Sequence, residues 1–259
     1  MKLKMFQVDA FTNRLFGGNP AAVVPLEDWL SEATMQAIAA ENNLSETAFI
    51  VPEGNDFGLR WFTPAVEVDL CGHATLATAH VIFTELDPSR EVVHFHTRSG
   101  RLTVTRDSDR LSMDFPSRKP VPVEAPPSLI SALGAQPAAV LKSRDFFVVF
   151  ETEAEVRALT PDFPALGRLD TLGIIVTAKG DTVDFVSRFF APYAGINEDP
   201  VTGSAHCTLI PYWSERLGKT SLHALQVSRR GGELFVEDRG ERVKISGNAV
   251  TFLRGEIEF

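Results

Sequence analysis

Short apolar runs alternate with segments of helical spacing along both halves of the chain. In the first half, Asn19-Pro20-Ala21-Ala22-Val23-Val24 predicts a strand, and Ser31 to Asn42 a helix with Ser31 at its N-cap. Thr47-Ala48-Phe49-Ile50-Val51 predicts a strand, and Leu59-Arg60-Trp61-Phe62-Thr63-Pro64 another that ends at proline. A loop then leads to Cys71-Gly72-His73-Ala74-Thr75 and to a helix reaching about Phe83. That helix is apolar on nearly every side, which predicts burial.

The second half repeats the order. Phe146 to Phe150 predicts a strand, Thr152 to Leu159 a helix capped by Thr152, and Gly173 to Thr177 a strand. Ser187-Arg188-Phe189-Phe190-Ala191-Pro192 again ends at proline, and Thr202-Gly203-Ser204-Ala205-His206 opens an apolar helix to about Leu217. Arg60-Trp61-Phe62-Thr63-Pro64 matches Arg188-Phe189-Phe190-Ala191-Pro192 at an offset of 128. Cys71-Gly72-His73-Ala74 matches Thr202-Gly203-Ser204-Ala205 at 131, and Arg98 to Val104 matches Arg230 to Val236 at 132. Offsets that rise slowly are what small loop insertions in a duplicated unit produce. The period is too long for a solenoid. It predicts two similar domains, residues 1–117 and 118–259, joined in the proline-rich stretch from Phe115 to Pro127. The last strand, Thr251 to Phe259, is free to cross back to the first domain. Each half mixes strands, hairpin signals and few long helices, so the fold class is α+β, a mixed sheet wrapped on a helix.

Composition narrows the function. The 259 residues carry a formal charge of −9 and no Lys/Arg cluster, which argues against nucleic acid and anionic membranes as partners. No apolar run reaches the ~20 residues of a membrane-spanning helix. Two cysteines, Cys71 and Cys207, make neither a disulfide framework nor a zinc cluster, and the first residues lack the apolar core of a signal peptide. A cytoplasmic setting is expected. No dinucleotide, P-loop or nucleophile-elbow motif is present, and the six histidines show no metal-ligand spacing. The expectation is a proton-transfer enzyme with no cofactor and no metal.

Candidate chemistry gathers at the duplicated turns. A glycine at a helix start lets a ligand approach unpaired N–H groups at the positive end of a dipole. Gly72 and Gly203 would thus offer two anion sites, and two such termini facing each other across a cleft would clamp one small acid. The plainer account is that each glycine eases helix packing. Near the first terminus stand Glu67, Asp69, Cys71 and His73; near the second, Asn197, Glu198, Asp199, Thr202, Ser204 and His206. Asp199 before Pro200 also suits a helix N-cap. At a helix start His73 is expected to be neutral, able to pass a proton, and the Cys71 thiol to have a lowered pKa. Cys71 is equally a small buried apolar residue. Cys207 and His80 read as core. Glu46, before an apolar strand, would lie partly buried against Phe49 and Ile50 and suits a general base or acid near neutral pH. At an offset of 126 its counterpart would be Leu172, so the duplicated scaffold does not itself require a carboxylate there.

At these residues the chain resembles the PhzF-like isomerases of phenazine biosynthesis, within the diaminopimelate-epimerase-like fold. The resembling stretches include Val8 to Thr12, Phe16-Gly17-Gly18-Asn19-Pro20 to Val23, Asn43-Leu44-Ser45-Glu46-Thr47-Ala48-Phe49, Arg60 to Pro64, Asp69 to Thr75 and Glu198 to His206. The resemblance implies two barrel-like domains, each around a central helix, with the active site between them. It implies Glu46 as general base, His73 and Asp199 assisting proton transfer, and Gly72, Cys71, Gly203 and Ser204 as substrate-binding positions. It also implies no cofactor, a small carboxylate-bearing substrate and a homodimer. Two-thiol epimerases of the same fold place a cysteine at each helix start. Here Cys71 stands at the first, but Thr202 and Ser204 at the second. A Cys71-dependent amino-acid epimerase and a non-catalytic small-ligand-binding protein are the alternatives.

Overall fold

The computed structural model describes the backbone of residues 1–259 and every side chain but that of residue 194. The chain forms two compact units, Met1–Asp114 with Ser246–Phe259, and Phe115–Ile245.

The first unit opens with β1 (Lys2–Ala10), β2 (Asn19–Pro25), α1 (Glu32–Asn42), β3 (Glu46–Glu53), β4 (Asp56–Phe62) and the short β5 (Glu67–Val68). Then follow α2 (Gly72–Val81), which ends in a wider π turn at Ile82–Leu86, and β6 (Val92–Thr97), β7 (Gly100–Asp107) and β8 (Arg110–Pro116). In the second unit come β9 (Val121–Pro122), α3 (Pro127–Leu133), β10 (Ala139–Lys142), β11 (Phe146–Val149), α4 (Glu153–Ala158), α5 (Phe163–Leu166), β12 (Ile174–Lys179) and β13 (Phe185–Ala191). It continues with β14 (Ile196–Asp199), α6 (Gly203–Leu217), β15 (Ser221–Gln226), β16 (Gly232–Asp238) and β17 (Arg242–Gly247); β18 (Ala249–Glu258) closes the chain.

The strand pairings of the two units match one for one. In the first, β1–β2 is antiparallel, β2–β3 parallel and β3–β4 antiparallel; β4 then pairs antiparallel with β5 at one end and parallel with β6 at the other. In the second, β10–β11, β11–β12 and β12–β13 repeat that series, and β13 pairs antiparallel with β14 and parallel with β15. The outer strand also repeats: β18 lies antiparallel on β1, as β9 does on β10. The sequence left the last strand's place open, with the second domain drawn to residue 259. Pairing along the whole of β1 puts it in the first unit.

Local signals explain the helices. Ser31 Oγ accepts from Thr34 N at the start of α1, and Thr152 with Glu155 forms a capping box on α4. Strand alternation then sorts the faces. Phe49 and Val51 of β3 and Phe62 of β4 join Met35 and Ile38 of α1 in one core. Glu46 and Ala48 therefore point to the other face, where α2 packs against β1, β2, β3 and β18. In the second unit α4 packs on β12 and β13, and the largely buried α6 on β15 and β16. Among the described residues no helix is long and apolar enough to cross a membrane.

Candidate active site

Both buried helices start alike. Cys71 and Thr202 occupy the N-cap positions in extended backbone, and neither gives a side-chain cap. One turn on, a side chain bonds back to the cap carbonyl instead: Thr75 Oγ1 donates to Cys71 O at 2.6 Å, and His206 Nδ1 to Thr202 O at 2.8 Å. The loop before each helix is held by the same fork. Arg60 on β4 makes two bonds to Glu67 (2.7 and 2.6 Å), and Arg188 on β13 two to Glu198 (2.7 and 3.0 Å). Such bidentate pairs are among the stronger side-chain bonds, and they assign Glu67 and Glu198 to architecture rather than chemistry.

At the start of α2 the structure brings together Glu46, Cys71, His73 and a residue the sequence reading passed over, Asn19. His73 Nε2 lies 3.0 Å from Glu46 Oε2, while Nδ1 lies 3.1 Å from Asn19 Nδ2 and 3.5 Å from Cys71 Sγ. The Glu46 and His73 atoms are close but not aligned for a hydrogen bond, and both are buried without another partner. Such atoms carry a desolvation cost that only an aligned partner removes. Glu46, Cys71 and His73 also carry metal-ligand atoms within 4.8 Å of one another. The imidazole stands between the other two, however, with one nitrogen toward each. A coordination sphere, by contrast, needs every ligand atom to converge on one point.

Two electrostatic expectations are reversed. Burial, reinforced by the Glu46 charge, pushes the Cys71 thiol up to about 11, against the lowering expected at a helix start. Burial also works against charging His73, but Cys71 and Glu46 outweigh it, so its pKa lies well above the ordinary histidine value. The helix dipole, which favours a neutral ring, is weaker than a carboxylate at 3.0 Å.

At the start of α6 the side chains serve each other. Asp199 is not the N-cap; it sits three residues earlier and accepts the Thr202 hydroxyl at 2.5 Å. Gln226, buried at the end of β15, accepts from Thr202 N at 2.8 Å and donates to Asp199 O at 2.8 Å. Ser204 is partly buried and takes a bond of 3.3 Å from Arg144 Nη2. His206 is fully buried against Phe185, and burial pushes its pKa down to about 4. Cys207 is buried, with Sγ toward Gly203 O and its pKa pushed up to about 11 by burial. His80, read as core, is half-buried and pairs with Thr251 Oγ1. Asn19, Gln226 and Arg144 escaped the sequence reading because each acts on a residue 24 or more positions away. The one available signal was Asn19, inside the Gly17-Gly18-Asn19-Pro20 stretch.

Strand register corrects one equivalence. Thr47 faces Phe62 and Ile174 faces Phe190, so Glu46 corresponds to Gly173, not Leu172. A Cβ on Gly173 would meet Phe189 Cζ at 2.2 Å. In the second unit an aromatic ring takes up the space beside the strand start; in the first, the same strand position carries a carboxylate.

This geometry has relatives. A crystal structure of a phenazine biosynthesis protein of the PhzF family from Enterococcus faecalis matches with a TM-score of 0.98 at 52% identity, covering 100% of both chains. A hydroxyproline epimerase from Agrobacterium vitis is only 10% identical, yet matches with a TM-score of 0.58 over 99% of this chain and 92% of its own. The fold is thus the diaminopimelate-epimerase-like one, a mixed α+β architecture. In sequence, an uncharacterized isomerase of Pseudomonas aeruginosa is 55% identical over 257 residues, 99% of each chain. The family model described as phenazine biosynthesis-like protein matches residues 8–255, and the chain belongs to that family.

Proposed function

We propose that this chain is a cofactor-independent isomerase that moves a proton on a small carboxylate-bearing substrate. The observation that carries this reading is the Glu46–His73 pair, its facing atoms buried and 3.0 Å apart without hydrogen-bond geometry, beside an uncapped helix start. Glu46 takes the proton from an activated carbon, and His73 assists in returning it at another. Backbone N–H groups at Gly72 receive the developing enolate-like charge; one such donor is typically worth about 3 kcal/mol. Cys71 lines the same terminus. In the second unit Asp199 assists proton transfer, and Gly203 and Ser204 hold polar groups of the substrate. Arg144 beside Ser204 adds positive charge that suits a carboxylate. The isomerase names of the relatives agree with this reading. A homodimer and a cytoplasmic setting belong to the same proposal.

One contact favours a second reading, an epimerase working through Cys71: its sulfur lies 3.5 Å from His73 Nδ1. The raised thiol pKa and the lack of a cysteine at the second helix start weigh against it. Cys71→Ala separates the two, since the epimerase would die and the isomerase keep most of its rate.

The test is incubation with a pool of small-acid metabolites in heavy water, with Glu46→Gln as control and deuterium gain read by mass spectrometry. Deuterium entering one compound only with the unmutated protein is the expected result and names the substrate class. Tight binding of a pool compound with no exchange and no isomer formed would leave a ligand-binding protein on this fold and overturn the proposal.

A further inference from the structure

The cluster at α2 contains a side chain to which the proton-transfer reading gives no part. Asn19 is fully buried at the start of β2, with its amide 3.1 Å from His73 Nδ1. The chain is built to put it there. Gly18 precedes it in left-handed backbone, where a Cβ would meet Ala10 O at 2.1 Å, so only glycine lets the chain pass against β1. Phe16 N donates to the buried Asp9 carboxylate and pins the loop from the other side.

We propose that Asn19 is the positioning residue of His73: its amide partners Nδ1 in both protonation states of the ring and so keeps the exchangeable proton on Nε2, the nitrogen nearer Glu46. This rests on the reading of Glu46 and His73 as the proton-transfer pair. An amide carries two donors on Nδ2 and an acceptor on Oδ1. A neutral ring protonated on Nε2 presents a lone pair at Nδ1, which accepts from Nδ2. An imidazolium presents Nδ1–H, which donates to Oδ1 after the amide turns over. The ring thus gains and loses its proton without leaving Nδ1 unpaired in a buried site. A carboxylate in that place would serve the imidazolium alone, and an aliphatic side chain neither form. By register the equivalent residue of the second unit is Ser143, and the residue equivalent to His73 is Ser204. The buried amide therefore occurs in the unit that has the histidine.

The other groups near His73 leave this task to Asn19. Glu46 faces Nε2 from β3, and Cys71 approaches Nδ1 from the helix's own cap at 3.5 Å. From β1, Asp9 takes the Phe16 N–H. On β2 no titratable side chain is present, and on β18 Arg254, Glu256 and Glu258 are exposed.

The experiment is a ring-nitrogen NMR titration of His73 in the 15N-histidine-labelled protein, alongside the pH profile of deuterium exchange. Asn19→Asp is isosteric and accepts only. It should raise the His73 midpoint by ~1–3 pH units, shift the profile the same way and lower kcat tenfold or more with KM within twofold. Asn19→Ser restores a group that both donates and accepts, and should keep midpoint and profile near those of the unmutated protein. A folded Asn19→Asp protein with an unchanged His73 titration would overturn the proposal, as would a loss of rate in Asn19→Ser equal to that in Asn19→Asp. The NMR readout needs no turnover. Failure of the isomerase reading would appear separately, as unimpaired exchange in Glu46→Gln.

Discussion

The starts of α2 and α6 are two copies of one scaffold with different contents. Each has an extended N-cap residue whose side chain does not cap the helix, a first turn tied to the cap carbonyl and an arginine–glutamate fork behind the loop. They part at four positions: Glu46 against Gly173, Asn19 against Ser143, Cys71 against Thr202 and His73 against Ser204. The first start gathers Glu46, Cys71 and His73, of which Glu46 and His73 lie 3.0 Å apart without hydrogen-bond geometry. At the second, Asp199, Thr202 and Gln226 form a closed network of hydrogen bonds. Polar atoms without a partner are costly in a core; the first start holds Glu46 Oε2 and His73 Nε2 that way, side by side, and the second holds His206 Nε2, one turn into the helix.

The comparison can be broken most severely at Glu46. Glu46→Gln should lower deuterium exchange by about 10²–10⁴-fold in a protein that still folds cooperatively, because the amide keeps the volume. Next come the forks. Arg188→Ala strands Glu198 and two carbonyls, those of Val156 and Leu159, and should cost about 3 kcal/mol in urea unfolding. Arg60→Ala should cost clearly less, because Arg98 stays 2.7 Å from Glu67. Equal costs would mean that the second arginine contributes nothing.

His206 tests the second copy by pH. Its folded-state pKa is depressed from 6.5 to about 4, so the unfolded chain binds a proton that the folded chain refuses. Its stabilising effect is complete above pH 6.5 and is lost as the pH falls toward 4, by about 3 kcal/mol in all. His206→Gln should flatten that part of the stability curve in denaturant titrations at several pH values. The smallest expected effect is at Gly173. Gly173→Ala drives a methyl into the Phe189 ring and should cost about 1–3 kcal/mol, partly recovered with Phe189→Leu in the same chain. Glu46→Ala, at the matching position of the first unit, meets no such ring; its cost comes from losing the carboxylate that favours the His73 imidazolium and should be largest below pH 6.5.

Much of the scaffold was legible because duplication prints itself as repeated strings. The strand ending at Pro64 and its copy ending at Pro192, the two glycine-led helices and the caps Ser31 and Thr152 all lie within a few residues of the structure they specify. Glu46 and His73 were legible as candidates because they stand beside those strings. Asn19, Gln226 and Arg144 were not, because nothing local to them encodes the turn they support. The helix-start rule also misled at Cys71 and His73. It considers the dipole alone, whereas burial and a neighbouring carboxylate act at shorter range and through a lower dielectric.

The sequence by itself determined the order of elements, the duplication and the residue types at each helix start, since these follow from local periodicity, capping and glycine. Only the tertiary structure decided that β18 returns to β1, that Glu46 answers to Gly173, and that an asparagine 54 residues away meets the histidine ring. Strand register and burial are properties of the packed sheet. The energy of a titratable group depends on which atoms surround it after packing, and chain order does not specify those atoms.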